Sequence, residues 1–258
     1  MGYSQSMTDH PPLRTYGRTK ARTLKPRQAG LVEVLLPHLS VDVSAPIDMD
    51  ALFSPSLRRE GAGGGMHPDA SSITPRPNPL RGGGVVLEIG FGGGEHLVAQ
   101  AAANPDTRFI GVEPFLNGVA SCLRHIEENG VTNVRLHQGD ARDVLARLPD
   151  AMLDRVDILF PDPWPKKRHW KRRLIQSEFV AELARILKAG GHVRFATDWA
   201  NYAASALEVF TLSPHFQWIA ERAADWRAPW PCHVATRYEA KKLGDSAPIW
   251  LRWRRVSR

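Results

Sequence analysis

The sequence predicts a doubly wound α/β fold on a mostly parallel, seven-stranded sheet, with a basic arm at the N-terminus. Two observations predict it. From residue 85 onward, short Val-, Ile- and Phe-rich runs alternate with segments of helical period. Directly after each of the first five runs comes a glycine-rich turn or an acid. Right-handed crossovers bring the C-terminal ends of parallel strands to one edge, where ligands bind at the point of strand-order reversal. The length of 258 residues suits one such domain with an extension.

The elements follow in order. Residues 1–30 are expected to be a basic arm, because 14–27 carry Arg14, Arg18, Lys20, Arg22, Lys25 and Arg27 with no acid. Residues 31–60 are a segment packing on the main domain. Residues 61–84 hold seven Gly and four Pro in 24 positions and read as a flexible insertion. The α/β domain is then 85–258. Strands are expected at 85–89, 108–113, 134–138, 155–160, 192–197, 216–220 and 249–256. Helices are expected at 95–103, 117–128, 141–148 and 199–211. The clearest helix starts with Ser177 as N-cap. It carries Phe179, Leu183, Ile186 and Leu187 as one stripe, places Lys188 at its negative end and stops at Gly190. A long loop separates the last two strands.

Composition narrows the function classes. A hydrophobic fraction of 43% supports a core, and a net charge of +7 favours polyanionic partners or a merely basic surface. Two cysteines, Cys122 and Cys232, form neither a disulfide framework nor a metal cluster, so no metal is expected and a reducing cytoplasm fits. The first residues lack a basic stretch followed by an apolar one, and no apolar run reaches membrane-spanning length, so neither leader nor membrane partner is expected.

The strand ends carry the chemistry. The first runs into Glu88-Ile89-Gly90-Phe91-Gly92-Gly93-Gly94, and the glycines at Gly90, Gly92 and Gly94 let backbone approach a ligand. The Rossmann-like dinucleotide fingerprint would need a third glycine where Glu95 stands. Acidic Glu88 and Glu95 instead suit a ligand with a cationic end, such as S-adenosyl-L-methionine. Glu113 ends the second strand, where such folds hold ribose hydroxyls, and Asp140 after the third could accept from an adenine amine. Singly these are ordinary surface acids; three at successive strand ends are harder to dismiss. After the fourth strand, Pro161 and Pro163 bracket Asp162 and fix its backbone. Trp164 could stack on a base. The following KKRHWKRR places six cations in eight positions beside an aromatic, which suits phosphates and unstacked bases as well as a solvated loop. Asp198 and Trp199 end the fifth strand.

Together these residues resemble the bacterial tRNA (guanine-N7)-methyltransferases. The resemblance rests on LEIGFGGG (87–94), GVE (111–113), GD (139–140), FPDPWPKKRHWKRR (160–173), ATDW (196–199) and TRYE (236–239). It implies the class I methyltransferase fold, S-adenosyl-L-methionine as cofactor and tRNA as partner, with guanine forty-six of the variable loop as target. It implies that Glu88, Glu113, Asp140 and Asp162 contact the cofactor at the glycine turn of Gly90, Gly92 and Gly94. Asp162 is the implied catalytic acid. Lys166, Asp198, Thr236, Arg237, Tyr238 and Glu239 are implied at the substrate, and Arg168, Lys171, Arg172 and Arg173 on RNA. The 61–84 insertion and Pro114 depart from the family pattern. The rival readings are a same-fold methyltransferase for another RNA, a protein or a small molecule, and a non-enzymatic RNA-binding protein. The resemblance leaves open whether the chain is a monomer or a homodimer.

Overall fold

A computed structural model of the protein describes residues 23–54 and 83–257. The arm cations Arg14, Arg18, Lys20 and Arg22, and residues 61–82 of the insertion, lie outside the described residues.

Seven strands form one sheet in the order β3-β2-β1-β4-β5-β7-β6. They are β1 (Val85–Ile89), β2 (Arg108–Val112), β3 (Val134–His137), β4 (Leu153–Leu159), β5 (Leu187–Thr197), β6 (Phe216–Trp218) and β7 (Ile249–Arg255). β1 to β5 are parallel, and β7 runs antiparallel between β5 and β6. Strand order reverses between β1 and β4. The two ends beside that reversal are the glycine turn and the Asp162 segment, so one sheet edge receives both.

Helices cover both faces, as strand alternation demands. Val86 and Phe109 face α4 (Glu95–Ala103) and α5 (Leu116–Asn129), where Leu97, Val98, Leu123 and Ile126 fill one core. Leu87, Ile110, Val156 and Phe195 face α6 (Ala141–Leu145), α7 (Ser177–Ile186) and α8 (Ala200–Leu212) and build the other. α5 ends where Gly130 turns left-handed at φ 60°. Among the described residues no helix is long and apolar enough to cross a membrane.

Several boundaries differ from expectation, each for a local reason. Among the described residues three short helices precede the sheet, α1 (Pro26–Val34), α2 (Leu36–Leu39) and α3 (Met49–Leu52). The arm's expected end at residue 30 therefore falls inside α1. Pro26 supports the first helical turn, and Arg27 pairs with Glu127 at 2.9 Å and Glu128 at 3.5 Å on α5. α7 begins with Ser177 as its first helical residue, after Gln176. It stops at Ile186, short of Gly190. Leu187 is already extended and pairs with Leu153, while Lys188 bridges to Asp154 at 2.9 Å. Gly190 takes φ 81° within a register irregularity of β5. The long loop before β7 contains a short α9 (Ala224–Arg227).

Tyr202 on α8 ties this frame to the segment after β4. It is fully buried, and its hydroxyl accepts from Leu174 N at 3.1 Å and Ile175 N at 3.3 Å. Burial pushes the phenol far above its ordinary pKa, so it stays neutral. Tyr202→Phe keeps the ring and strands two backbone donors. We expect the unfolding free energy to fall by about 1–3 kcal/mol, read from the urea midpoint of far-ultraviolet dichroism; an unmoved midpoint would refute the tie.

Candidate active site at the strand ends

The glycine turn leaves β1 with Gly90, Gly92 and Gly94 all at positive φ, 75°, 57° and 80°. A Cβ on Gly92 would meet nothing within 4 Å, so the glycine there serves the left-handed backbone and leaves open space above it. The turn is held by Glu113 at the end of β2. The Glu113 carboxylate accepts from Gly92 N and Phe115 N, each at 2.9 Å. Burial raises its pKa; the two N–H bonds oppose that, and the charge of Asp162 adds to it.

Glu88 and Asp140 have partners of their own. Glu88 is buried and holds His96 Nδ1 at 2.9 Å. Asp140 caps α6, accepting from Arg142 N at 2.9 Å and from the Arg142 guanidinium at 3.2 Å. Glu95, expected to suit a ligand with a cationic end, accepts from Arg237.

Asp162 sits in a strained loop. Phe160 and Trp164 both take left-handed backbone, at φ 51° and 42°. Each costs about 1–2 kcal/mol for an L-residue, and such outliers concentrate where function fixes the backbone. Phe160 is anchored by a 2.7 Å bond to Ala196 O and by its ring contacts with Tyr238 and Trp250. The Asp162 carboxylate opens to solvent at the lip of the site, and the surrounding protein still raises its pKa by desolvation. Raised carboxyl pKa values mean that the folded state binds these protons more tightly than the unfolded chain. Ionising Glu113 or Asp162 therefore costs stability as pH rises through the carboxylate range. Glu113, a buried acid kept at such a cost, has the environment in which functional carboxylates are found.

The basic tract forms a 3₁₀ turn over Lys167–Arg172. Lys166, Lys167, Arg168 and Lys171 are exposed beside Asp162. Arg172 lies 5.1 Å from the Trp164 ring, and His169 meets the same ring edge-on. Arg173 departs from its expected place on RNA. It is 2% exposed and its guanidinium points inward. It donates to Pro163 O at 2.9 Å, Ser205 Oγ at 2.8 Å and Asn201 Oδ1 at 2.6 Å, between the rings of Trp170 and Tyr202. The rigid fork that suits phosphate serves here to clamp the Asp162 loop onto α8.

Asp198, at the end of β5, is 5% exposed. Its Oδ2 accepts from Gly244 N at 2.8 Å, while Oδ1 is buried without a hydrogen-bond partner. A Cβ on Gly244 would fall 2.0 Å from Asp198 O, so that approach requires glycine. The 236–239 stretch folds over the same edge. Arg237 reaches Glu95 and Ser121 Oγ, the latter at 2.7 Å. Tyr238 lies against Phe160. Glu239 binds His233 Nε2 at 2.9 Å and Thr236 N at 2.9 Å. Burial pushes the Glu239 pKa up, but those bonds outweigh it and hold the carboxyl below its ordinary value.

The structure thus brings Glu88, Glu113, Asp140, Asp162, Asp198 and Thr236–Glu239 to one edge, and turns Arg173 away from it. Sequence reasoning missed His96, Gln100, Ser121, His233 and Gly244. His96 and Gln100 were legible: both are polar, four residues apart, on a helix whose other inward positions are apolar. Among the described residues no group of three or more His, Cys, Asp or Glu could hold a metal ion.

Comparison with known proteins identifies the family. Residues 83–251 match a family model described as "Putative methyltransferase". The chain is 50% identical over 242 residues to the tRNA (guanine-N(7)-)-methyltransferase of Caulobacter vibrioides, covering 94% of this chain and 95% of the relative. The protein of that name from Caulobacter sp. strain K31 is 50% identical over 247 residues, covering 96% and 97%. That from Nitrobacter hamburgensis is 46% identical over 246 residues, covering 94% and 86%. With the strand-end acids and the TRYE stretch gathered at one edge, the chain belongs to the tRNA (guanine-N7)-methyltransferase family.

Proposed function

We propose that this methyltransferase transfers a methyl group from S-adenosyl-L-methionine to N7 of guanine in tRNA, at position forty-six of the variable loop. One observation carries the reading: the glycine turn, Asp162 and the exposed cations adjoin at the strand-order reversal, so cofactor and polyanion sites share one lip.

The residues present fit the cofactor. The space above Gly90 and Gly92, where a Cβ would meet nothing within 4 Å, is a cradle for the ligand. Glu113 lies against that turn with a buried carboxylate suited to ribose hydroxyls, and Glu88 and Asp140 flank it. When bound, the cofactor supplies an electrophilic methyl group on a sulfonium. Guanine N7 offers an in-plane lone pair and no proton, so its attack needs alignment more than a base. The base becomes positive as the methyl transfers, and Asp162 at the lip offsets that charge once bound cofactor and base exclude water from it. The buried, unpartnered Oδ1 of Asp198 suits the guanine N1–H or N2–H₂ donors. Lys166, Arg168, Lys171 and Arg172 face phosphates, and Trp164 offers a stacking surface once the base leaves its stack.

Incubation with unmodified tRNA and labelled cofactor, followed by mapping of the methylated base, tests the reading. Label in N7-methylguanine at position forty-six is expected, and label elsewhere or none refutes it. Asp162→Asn keeps shape and removes charge. Its single-turnover rate should fall by about two to three orders of magnitude, with tRNA affinity little changed. The wild-type rate should fall with acid as a carboxyl of raised pKa protonates, and Asp162→Asn should lose that acid limb; an unchanged limb in the variant would refute the role of Asp162.

Two further outcomes separate the binding roles. Glu113→Gln should weaken cofactor binding by roughly tenfold or more, one charge-assisted bond's worth, and leave tRNA affinity unchanged; equal losses in both would refute the assignment. Neutralising Lys166, Arg168, Lys171 and Arg172 should flatten the log–log salt slope of tRNA binding by ~0.7–0.9 per lost contact. Arg173→Gln, by contrast, should lower the melting temperature and leave that slope unaltered. A flattened slope for Arg173→Gln would return Arg173 to the RNA.

A further inference from the structure

The segment from Trp230 to Glu239 lies along α4, the helix whose N-terminus carries the glycine turn. Gln100 Nε2 donates to Cys232 O. One turn earlier on the same face, the His96 ring stacks on the His233 ring, with centroids 5.2 Å apart and planes 30° apart. Trp250 on β7 closes the other side of His233 at 4.5 Å. Each imidazole is tied to a carboxylate at its far end, His96 Nδ1 to Glu88 and His233 Nε2 to Glu239, both at 2.9 Å. The side chains of Glu88, His96, His233 and Glu239 are 3%, 2%, 4% and 14% exposed, so the chain they form runs inside the protein from β1 to the TRYE stretch.

The remaining ring nitrogens, His96 Nε2 and His233 Nδ1, are buried with no hydrogen-bond partner. A buried ring that forgoes a bond is poorly explained by packing alone, since an apolar ring would fill the space without that cost. What a phenyl ring cannot supply is the donor to each carboxylate. The two bonds and the stack fix both rings in position and plane, and Glu239 in turn receives Thr236 N and Oγ1 at 2.9 and 3.2 Å. The 236–239 stretch is therefore oriented from the cofactor strand through two histidines, with Gln100 and the Arg237 contacts to Glu95 and Ser121 pinning its flanks.

We propose that His233, seated on His96, is a positioning residue that sets the TRYE stretch for the substrate base. The proposal rests on reading Thr236–Glu239 as substrate-facing. His233 touches no reacting atom; it acts through Glu239. Its loss should therefore raise the KM for tRNA, because the loop must be ordered at the moment of binding, and should leave the cofactor site, held by Glu113 and Gly92, as it was.

The test compares the full-length chain with His233→Ala, His233→Phe and His233→Gln. In steady-state methylation of unmodified tRNA, His233→Ala and His233→Phe should raise the KM for tRNA by roughly tenfold or more, the loss of one charge-assisted bond. The KM for the cofactor should stay within about twofold. His233→Gln, whose amide can still donate to Glu239, should recover most of the loss. Amide hydrogen exchange should rise across residues 230–242 in the Ala and Phe variants, and stay unchanged in α8 and at the glycine turn. The proposal is overturned if Phe behaves as wild type, if Gln fails to rescue, or if the KM values for cofactor and tRNA rise together. The exchange arm needs no substrate. If the wild type leaves tRNA unmethylated while exchange rises as stated, the loop-holding role survives and the tRNA reading fails. If tRNA is methylated and the exchange pattern is flat, the positioning role fails alone.

Discussion

The Glu113 carboxylate is the joint on which the site depends. It closes β2, accepts the Gly92 and Phe115 amides, and lies near enough to Asp162 for their charges to interact. A turn with three left-handed glycines would otherwise sample many shapes, since glycine loses the most backbone freedom on ordering. Two charge-assisted bonds from one buried acid give that turn a single shape. The arrangement requires the ends of β1 and β2 to be neighbours, which their parallel pairing from Val85↔Arg108 to Ile89↔Val112 provides.

The Asp162 loop solves the opposite problem. Its backbone is stiff but strained, with left-handed aromatics at both ends. Strain persists only where the surroundings over-determine the chain. Here Ala196 O, Tyr238 and Trp250 hold Phe160, and Arg173 grips Pro163 O from α8. Arg173 donates to three residues and stacks between two rings, which offsets the desolvation that lowers its pKa. One cation of the basic tract thus stiffens the Asp162 loop, while its exposed neighbours Lys166, Lys167, Arg168 and Lys171 retain the electrostatic surface.

The third part of the site comes from far along the chain. The loop between β6 and β7 returns over the edge, meets Asp198 through Gly244, and docks on α4 through Gln100, His96 and Glu95. Antiparallel β7, inserted between β5 and β6, makes this geometry available. It carries the chain back to the β5 edge and places Trp250 under His233.

The sequence by itself determined the parallel sheet, the order of strands and helices, and the set of acids at the strand ends. Those features are local: hydrophobic period, glycine spacing and proline positions act over a few residues and need no partner. It also showed the PDPW segment as rigid, because proline restricts its own φ wherever it stands. Only the tertiary structure decided how each polar side chain is used. Arg168 and Arg173 look alike in sequence, yet one is exposed and the other buried, because Arg173, just past the 3₁₀ turn, meets Asn201 and Ser205 of α8. Glu95 suits a cationic ligand by its place in the sequence, and the fold also gives it Arg237, 142 residues away, as a partner. The end of α7 at Ile186 was equally hidden, since pairing of Leu187 with Leu153 overrides the stop signal at Gly190. His96 and His233 meet because crossovers fold α4 beneath a loop more than a hundred residues later, and no pattern within either segment records the other.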